Sequence, residues 1–205
     1  MQTVALEGGE RTALGKKGTK EVRKQGLIPC VMYGGDEVYH FTTTANAVKS
    51  LIYTPDFKLA EVSLGDATHK CIVKEVQYHP LTDAILHIDF LKLEDGRPVK
   101  VELPIRFYGD SPGMKVGGKL LQNLRRIKIK TTPENLVDEL KVNIGGLELG
   151  QAVRVKDVDV TEDMEVMVDL ATPVAVVEVP RALRSATAAA EKEGEAAAET
   201  VDAEE

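Results

Sequence analysis

The strongest constraint on this chain is a two-residue hydrophobic period that recurs through its second half. Val101, Leu103, Ile105 and Phe107 are separated by Lys100, Glu102 and Arg106, and Ile127 and Ile129 alternate with Arg126, Lys128 and Lys130. Leu140, Val142 and Ile144 repeat the pattern. Val153, Val155 and Val158 precede a polar stretch, and Val166, Val168 and Leu170 follow it. Side chains on a strand point alternately to opposite faces, so each run puts one face on a core and the other in water. Gly34-Gly35 and Gly145-Gly146 supply turns. The chain is therefore expected to be mainly β.

Two short helices interrupt the first half. The spacing predicts one over roughly Thr19–Gln25, stopped at Gly26 and reinforced by Pro29 after Ile28. The other covers roughly Thr44–Ile52, with Thr44 as N-cap and Ala45, Val48, Leu51 and Ile52 at helical spacing. The run Glu94-Asp95-Gly96-Arg97-Pro98 reads as a linker. Three parts follow: residues 1–93, residues 94–180, and a tail, residues 181–205, rich in Ala and Glu. The tail buries too little apolar surface to offset its ordering entropy and is expected to be acidic and disordered.

Net charge is −7, from 26 basic and 33 acidic residues, which taken whole argues against a nucleic-acid partner. The average conceals three unlike regions. Residues 1–92 balance 11 basic against 11 acidic side chains, 93–180 are −3, and 181–205 are −4. Within the first, Arg11, Lys16, Lys17, Lys20, Arg23 and Lys24 face a single Glu21, so Arg11–Lys24 alone is +5. Lys20, Arg23 and Lys24 share a helix face. Such a loop and helix either form a solvated surface or contact phosphates.

A second constellation lies in Ala84–Leu91. On a strand, Leu86, Ile88 and Phe90 make the core face, while His87 and Asp89 point together to the other. A carboxylate two residues away fixes an imidazole's tautomer. The pair is either a polar pair on a sheet surface or a recognition element.

Several classes are excluded on composition and motif. Apolar runs such as Val174–Val177 fall far short of the ~18–20 residues that a membrane span needs. Met1–Leu14 carries charge and glycine where an export signal needs an apolar core, which makes the cytoplasm the expected setting. Cys30 and Cys71 form no disulfide framework and read as small buried hydrophobes. His40, His69, His79 and His87 show no metal-ligand spacing with them. Gly113–Gly118 is glycine-rich without phosphate-loop spacing and reads as a strand connection. No nucleophile or cofactor motif occurs, so neither an enzyme nor a cofactor or metal site is expected. With no Trp, 5 Tyr and 4 Phe, a base-stacking platform for single strands is not expected either.

Arg11-Thr12-Ala13-Leu14-Gly15-Lys16 followed by Leu27-Ile28-Pro29-Cys30-Val31-Met32-Tyr33-Gly34-Gly35 resembles the opening of the family of bacterial large-subunit ribosomal protein twenty-five. His79-Pro80 followed by Leu86-His87-Ile88-Asp89-Phe90 resembles its closing strand. Pro98–Val179 is similar to the additional β domain of the long form, the general stress protein Ctc type. The resemblance spans nearly all of residues 1–180. It implies an N-terminal RNA-binding β-barrel with short helices over 1–93 and a second all-β domain over 94–180. It also implies a structural role in the large ribosomal subunit on the ribosome in the cytoplasm, bound to 5S rRNA in the central protuberance beside neighbouring ribosomal proteins and rRNA, with no DNA and no membrane partner. Where the motif aligns, Arg11, Lys16, Lys20 and Arg23 fall on positions where cations meet phosphates. Tyr33 falls on the aromatic beside the Gly-Gly turn, and His87 and Asp89 on the pair that hydrogen-bonds RNA. Glu21 departs from the family's adjacent basic residues, which loses one phosphate contact or moves it to Lys17 or Lys24. The alternative is a stress-related module that binds proteins through its acidic second domain.

Overall fold

The computed structural model describes residues 1–180 apart from Asp36, Asp66 and Glu162; the acidic tail, 181–205, lies outside the described residues. Its first part contains six strands: β1 (Thr3–Glu10), β2 (Leu27–Tyr33), β3 (Tyr39–Thr44), β4 (Leu59–Leu64), β5 (Ala67–Tyr78) and β6 (Ile85–Lys92). Helix α1 (Gly15–Lys24) joins β1 to β2, and α2 (Ala45–Ile52) joins β3 to β4. The strands close into a barrel in the order β1-β3-β2-β6-β5-β4. Two parallel pairings, β1 with β4 and β2 with β6, complete the circuit. Closure removes free sheet edges, which would otherwise template unwanted pairing.

Alternation dictates the barrel's contents. Cys30 and Met32 of β2, Phe41 of β3, Val62 of β4 and Ile88 and Phe90 of β6 are all fully buried. The Phe41 and Phe90 rings meet at 5.5 Å in a tilted arrangement. Helix α2 adds Val48 and Leu51 to this core. Its Thr44 cap is as the sequence predicts, with Oγ1 accepting from the Ala47 amide at 3.4 Å.

Both cysteines lie inside, reduced and unpaired. Burial pushes their thiols up to about 12. Each Sγ faces a backbone carbonyl, of Ile28 at 3.6 Å and of Ala60 at 3.5 Å. They behave as the small hydrophobes that the sequence suggested.

Three expectations need correction. Helix α1 begins at Gly15, one turn before the predicted Thr19, because Gly18 is a close-approach residue and not a loop residue. A Cβ at Gly18 would lie 2.4 Å from the Ala13 carbonyl oxygen, so the absence of a side chain lets the helix turn tightly on its own lead-in. The predicted stop is right: Gly26 has φ +77°. Second, Leu86 is not a core residue. The pairing of β5 and β6 shifts register between Gln77 and Tyr78, and Ile85 takes the inward place at that end. Third, no strand continues through Val168 and Leu170.

The second part holds β7 (Val99–Tyr108), α3 (Pro112–Lys115), β8 (Lys119–Gln122), β9 (Arg126–Thr131), β10 (Leu140–Asn143), β11 (Ala152–Arg154), β12 (Val158–Asp159), β13 (Glu165–Val166) and β14 (Pro173–Glu178). A five-stranded sheet runs β12-β10-β7-β9-β13 and a three-stranded sheet runs β11-β14-β8. Their buried faces contain Val101, Leu103, Ile105, Ile127, Ile129 and Val142, the alternating positions of the sequence, and Val174 and Val177 from its apolar run. By internal packing, one compact unit comprises Met1–Pro104, Arg126–Leu140 and Val160–Met167. The other comprises Ile105–Arg125, Lys141–Asp159 and the chain from Val168 on.

Candidate nucleic-acid interface

The cations of Arg11–Lys24 are organised by the helix they belong to. At 3.6 residues per turn, Lys16, Lys20, Arg23 and Lys24 fall within one sector of α1. With Thr19 they line a shallow surface depression. No residue of α1 is buried, and no acidic residue occupies its first turn. Val22 and Gly18 lie on the sector turned from the cations. Glu21 falls at the margin, beside Lys17, and does not interrupt the row formed by Lys16, Lys20 and Lys24.

The two arginines differ from the lysines. Arg11 is half-buried and bonded to its own lead-in: Nε donates to the Ala13 carbonyl at 2.9 Å and Nη2 to Thr19 Oγ1 at 3.0 Å. Thr19 passes the contact on, donating to the Gly15 carbonyl at 2.8 Å. Leu14 at the N-cap position offers no side-chain cap, and this Arg11–Thr19 link fixes the helix start in its place. Arg23 reaches the barrel, donating to the Leu86 carbonyl from Nε at 3.1 Å and from Nη2 at 2.9 Å. Lys16, Lys17, Lys20 and Lys24 have no ion pair among the described residues. Arg11 and Arg23 thus build the surface on which the lysines stand.

Strand β6 supplies the second element. His87 and Asp89 share its outer face, and His87 Nδ1 lies 2.7 Å from Asp89 Oδ1. Both side chains are about one quarter exposed. A carboxylate acceptor fixes the proton on Nδ1 and leaves Nε2 as the ring's other polar atom. Neighbouring strands extend the face: Val31 of β2 and Glu75 of β5 both pair with Asp89, while Gln77 pairs with His87. Tyr33 ends β2 on the same side, half-buried. Partial burial holds its hydroxyl above the ordinary phenol range, with the Asp89 and Glu75 carboxylates adding to this, so it remains a hydrogen-bond donor.

All seven residues singled out from the sequence occur in this region of the first unit. Lys16, Lys20 and Arg23 share the helix sector, His87 and Asp89 touch, and Tyr33 is electrostatically coupled to Asp89. Arg11 stands apart, with its guanidinium turned into the loop. Glu75 and Gln77 were missed. Their membership depends on cross-strand register, and the bulge between Val73 and Glu75 sets which β5 side chains face outward. Among the described residues no cluster of His, Cys, Asp or Glu could hold a metal ion, and no helix is long and apolar enough to cross a membrane.

Comparison with known proteins gives a consistent pattern. Residues 6–90 match the Ribosomal L25p family and residues 98–181 match the C-terminal domain of ribosomal protein TL5. The chain is 37% identical over 194 residues to the large ribosomal subunit protein bL25 of Amoebophilus asiaticus, covering 95% of this chain and 98% of that one. It is 38% identical over 192 residues to the bL25 of Cytophaga hutchinsonii, covering 94% and 100%. It is 34% identical over 197 residues to that of Bacteroides fragilis, covering 94% and 100%.

Proposed function

Because the chain belongs to the Ribosomal L25p family, in the long form with a TL5-type C-terminal domain, it is a structural and non-enzymatic protein of the large ribosomal subunit, and we propose that 5S rRNA in the central protuberance is what it grips there. The observation that carries this reading is the double hydrogen bond from Arg23 to Leu86. It locks a helix face of cations beside a strand whose outer side chains are a paired donor and acceptor.

The two elements suit different parts of a folded RNA. Lys16, Lys20 and the guanidinium edges of Arg11 and Arg23 neutralise phosphates and set the docking register without reading sequence. A-form RNA displays 2′-hydroxyls and base edges in a wide, shallow minor groove. His87 through Nε2, Asp89 as an acceptor and Tyr33 as a donor are matched to that groove. A carboxylate among cations is repelled by phosphate and rewarded only by a 2′-OH or a base amine, so Asp89 is the selective group. Folding of the barrel from residues 1–93 is sufficient for this contact. Neighbouring rRNA and ribosomal proteins complete the environment.

The test is filter binding of the full chain to 5S rRNA and to an unrelated duplex RNA of equal length across a salt series. The expected result is a clear preference for 5S rRNA together with steep salt dependence. Equal binding to both at moderate salt would refute the proposal.

A further inference from the structure

A second cationic face occurs on the outer side of β7 and β9, within the first compact unit. The inner residues of these strands are apolar and buried, so Lys100 and Glu102 of β7 and Arg126, Lys128 and Lys130 of β9 all point outward. Register places Lys100 directly opposite Lys130, and Glu102 opposite Lys128. Like charges directly opposed across two strands are unfavourable. The carboxylates on this face are too few to balance it. Glu102 meets Lys128 at 3.4 Å and Glu165 of β13 meets Lys130 at 2.9 Å. Lys100 and Arg126 have no carboxylate within ion-pair distance among the described residues, although the Glu165 carboxylate on Lys130 also attracts Lys100. Lys74 joins them from β5, with Nζ 3.1 Å from the Lys100 carbonyl. One cleft is bordered by five cations, Lys58, Lys74, Lys100, Arg126 and Lys128, against three carboxylates, Asp56, Glu75 and Glu102, together with Tyr78, whose ring is half-exposed.

We infer that this face is a second RNA-docking surface, which takes the phosphate backbone of large-subunit rRNA distinct from the segment held at α1 and β6. In a chain with 33 acidic residues, one carboxylate, Glu165, serves two opposed lysines. A polyanion reverses the sign of that arrangement: each cation displaces a condensed counterion, and the opposed pair becomes attractive through the phosphates between its members. Tyr78 adds a flat apolar surface against which a sugar or base can rest. The net charge of the region after the barrel, −3 for 93–180, hides this face just as the whole-chain charge hides α1. The inference rests on the ribosomal reading but not on the 5S contact.

The test uses the full-length chain carrying Lys100→Gln and Arg126→Gln, neither of which breaks an ion pair among the described residues. Binding is measured to isolated 5S rRNA, to protein-free large-subunit rRNA, and to intact large subunits. Affinity for 5S rRNA should stay within about twofold of the parent, because α1 and β6 are untouched. On protein-free large-subunit rRNA the log–log salt slope should flatten by about 2, near the ~0.9 expected per lost phosphate contact. The thermal midpoint should hold or rise, since the Lys100–Lys130 opposition is gone. The charge-preserving pair Lys100→Arg and Arg126→Lys should bind as the parent does. An unchanged slope on protein-free rRNA overturns the inference. A change confined to intact subunits also overturns it, in favour of an acidic protein partner. A parent that ignores 5S rRNA but loses slope in the double variant would sink the 5S proposal and sustain this one.

Discussion

Arg23 and Leu86 are joined by two hydrogen bonds from one guanidinium to one carbonyl, at 3.1 and 2.9 Å. Leu86 immediately precedes His87, so the helix that carries the lysines is fastened one residue from the polar pair. The geometry makes Arg23 a positioning residue. An ammonium cannot reproduce the planar two-nitrogen grip.

Arg23→Lys is therefore expected to weaken 5S rRNA binding about tenfold while leaving the salt slope near the parent value, because charge is kept and alignment lost. Lys20→Gln should do the opposite, with a modest loss of affinity and a slope flatter by about 0.9. Filter binding across a salt series measures both. Identical behaviour of the two variants would show that Arg23 acts as charge alone.

Asp89→Asn removes a negative charge from a cationic surface, so a purely electrostatic contact would strengthen. The expected outcome is weaker 5S rRNA binding, by about 1–3 kcal/mol in line with a lost charged hydrogen bond, with the slope unchanged. The same substitution leaves His87 Nδ1 a neutral amide oxygen in place of a charged acceptor at its 2.7 Å contact. Tighter binding by the variant would contradict the role given to Asp89.

Gly18→Ala should destabilise the protein by about 1–3 kcal/mol, although alanine favours helices, because the new methyl meets the Ala13 carbonyl at 2.4 Å. Denaturant unfolding measures the change. Unaltered or raised stability would mean that the lead-in can move freely, and that the Arg11–Thr19 link does not hold it.

The two buried thiols give a pH prediction. Burial raises each from the ordinary 9.0 to about 12, so the folded state binds protons that the unfolded state releases. Their contribution is fully present below pH 9 and is lost as pH rises from 9 towards 12. The thermal midpoint should fall across that window. At pH 8 a thiol reagent such as Ellman's should react with neither cysteine until denaturant is added. Rapid labelling of either one in the native protein would contradict their placement in the barrel.

Much of this was legible in the residues themselves. The alternation at Val101–Phe107 and Ile127–Ile129 identified β7 and β9 and their buried faces, and His87 and Asp89 followed from the same rule on β6. The Thr44 cap and the Gly26 stop were local chemistry and read correctly. What escaped was set by tertiary approach. Gly18 fell outside the predicted helix because only the folded chain brings Ala13 against it. Leu86 looked inward because a strand read alone cannot show where it bulges against its partner. Glu75 and Gln77 were invisible for that reason, and so was the opposition of Lys100 to Lys130, which needs the pairing of two strands.

The parallel pairing of β2 with β6 has a consequence for when the protein becomes competent. Val31 stands beside Asp89 only through that pairing, and β6 is the last barrel strand to be synthesised. A growing chain carries every cation of α1 long before it carries His87 and Asp89. The candidate site is therefore assembled only when the second and the last strands of the barrel have met.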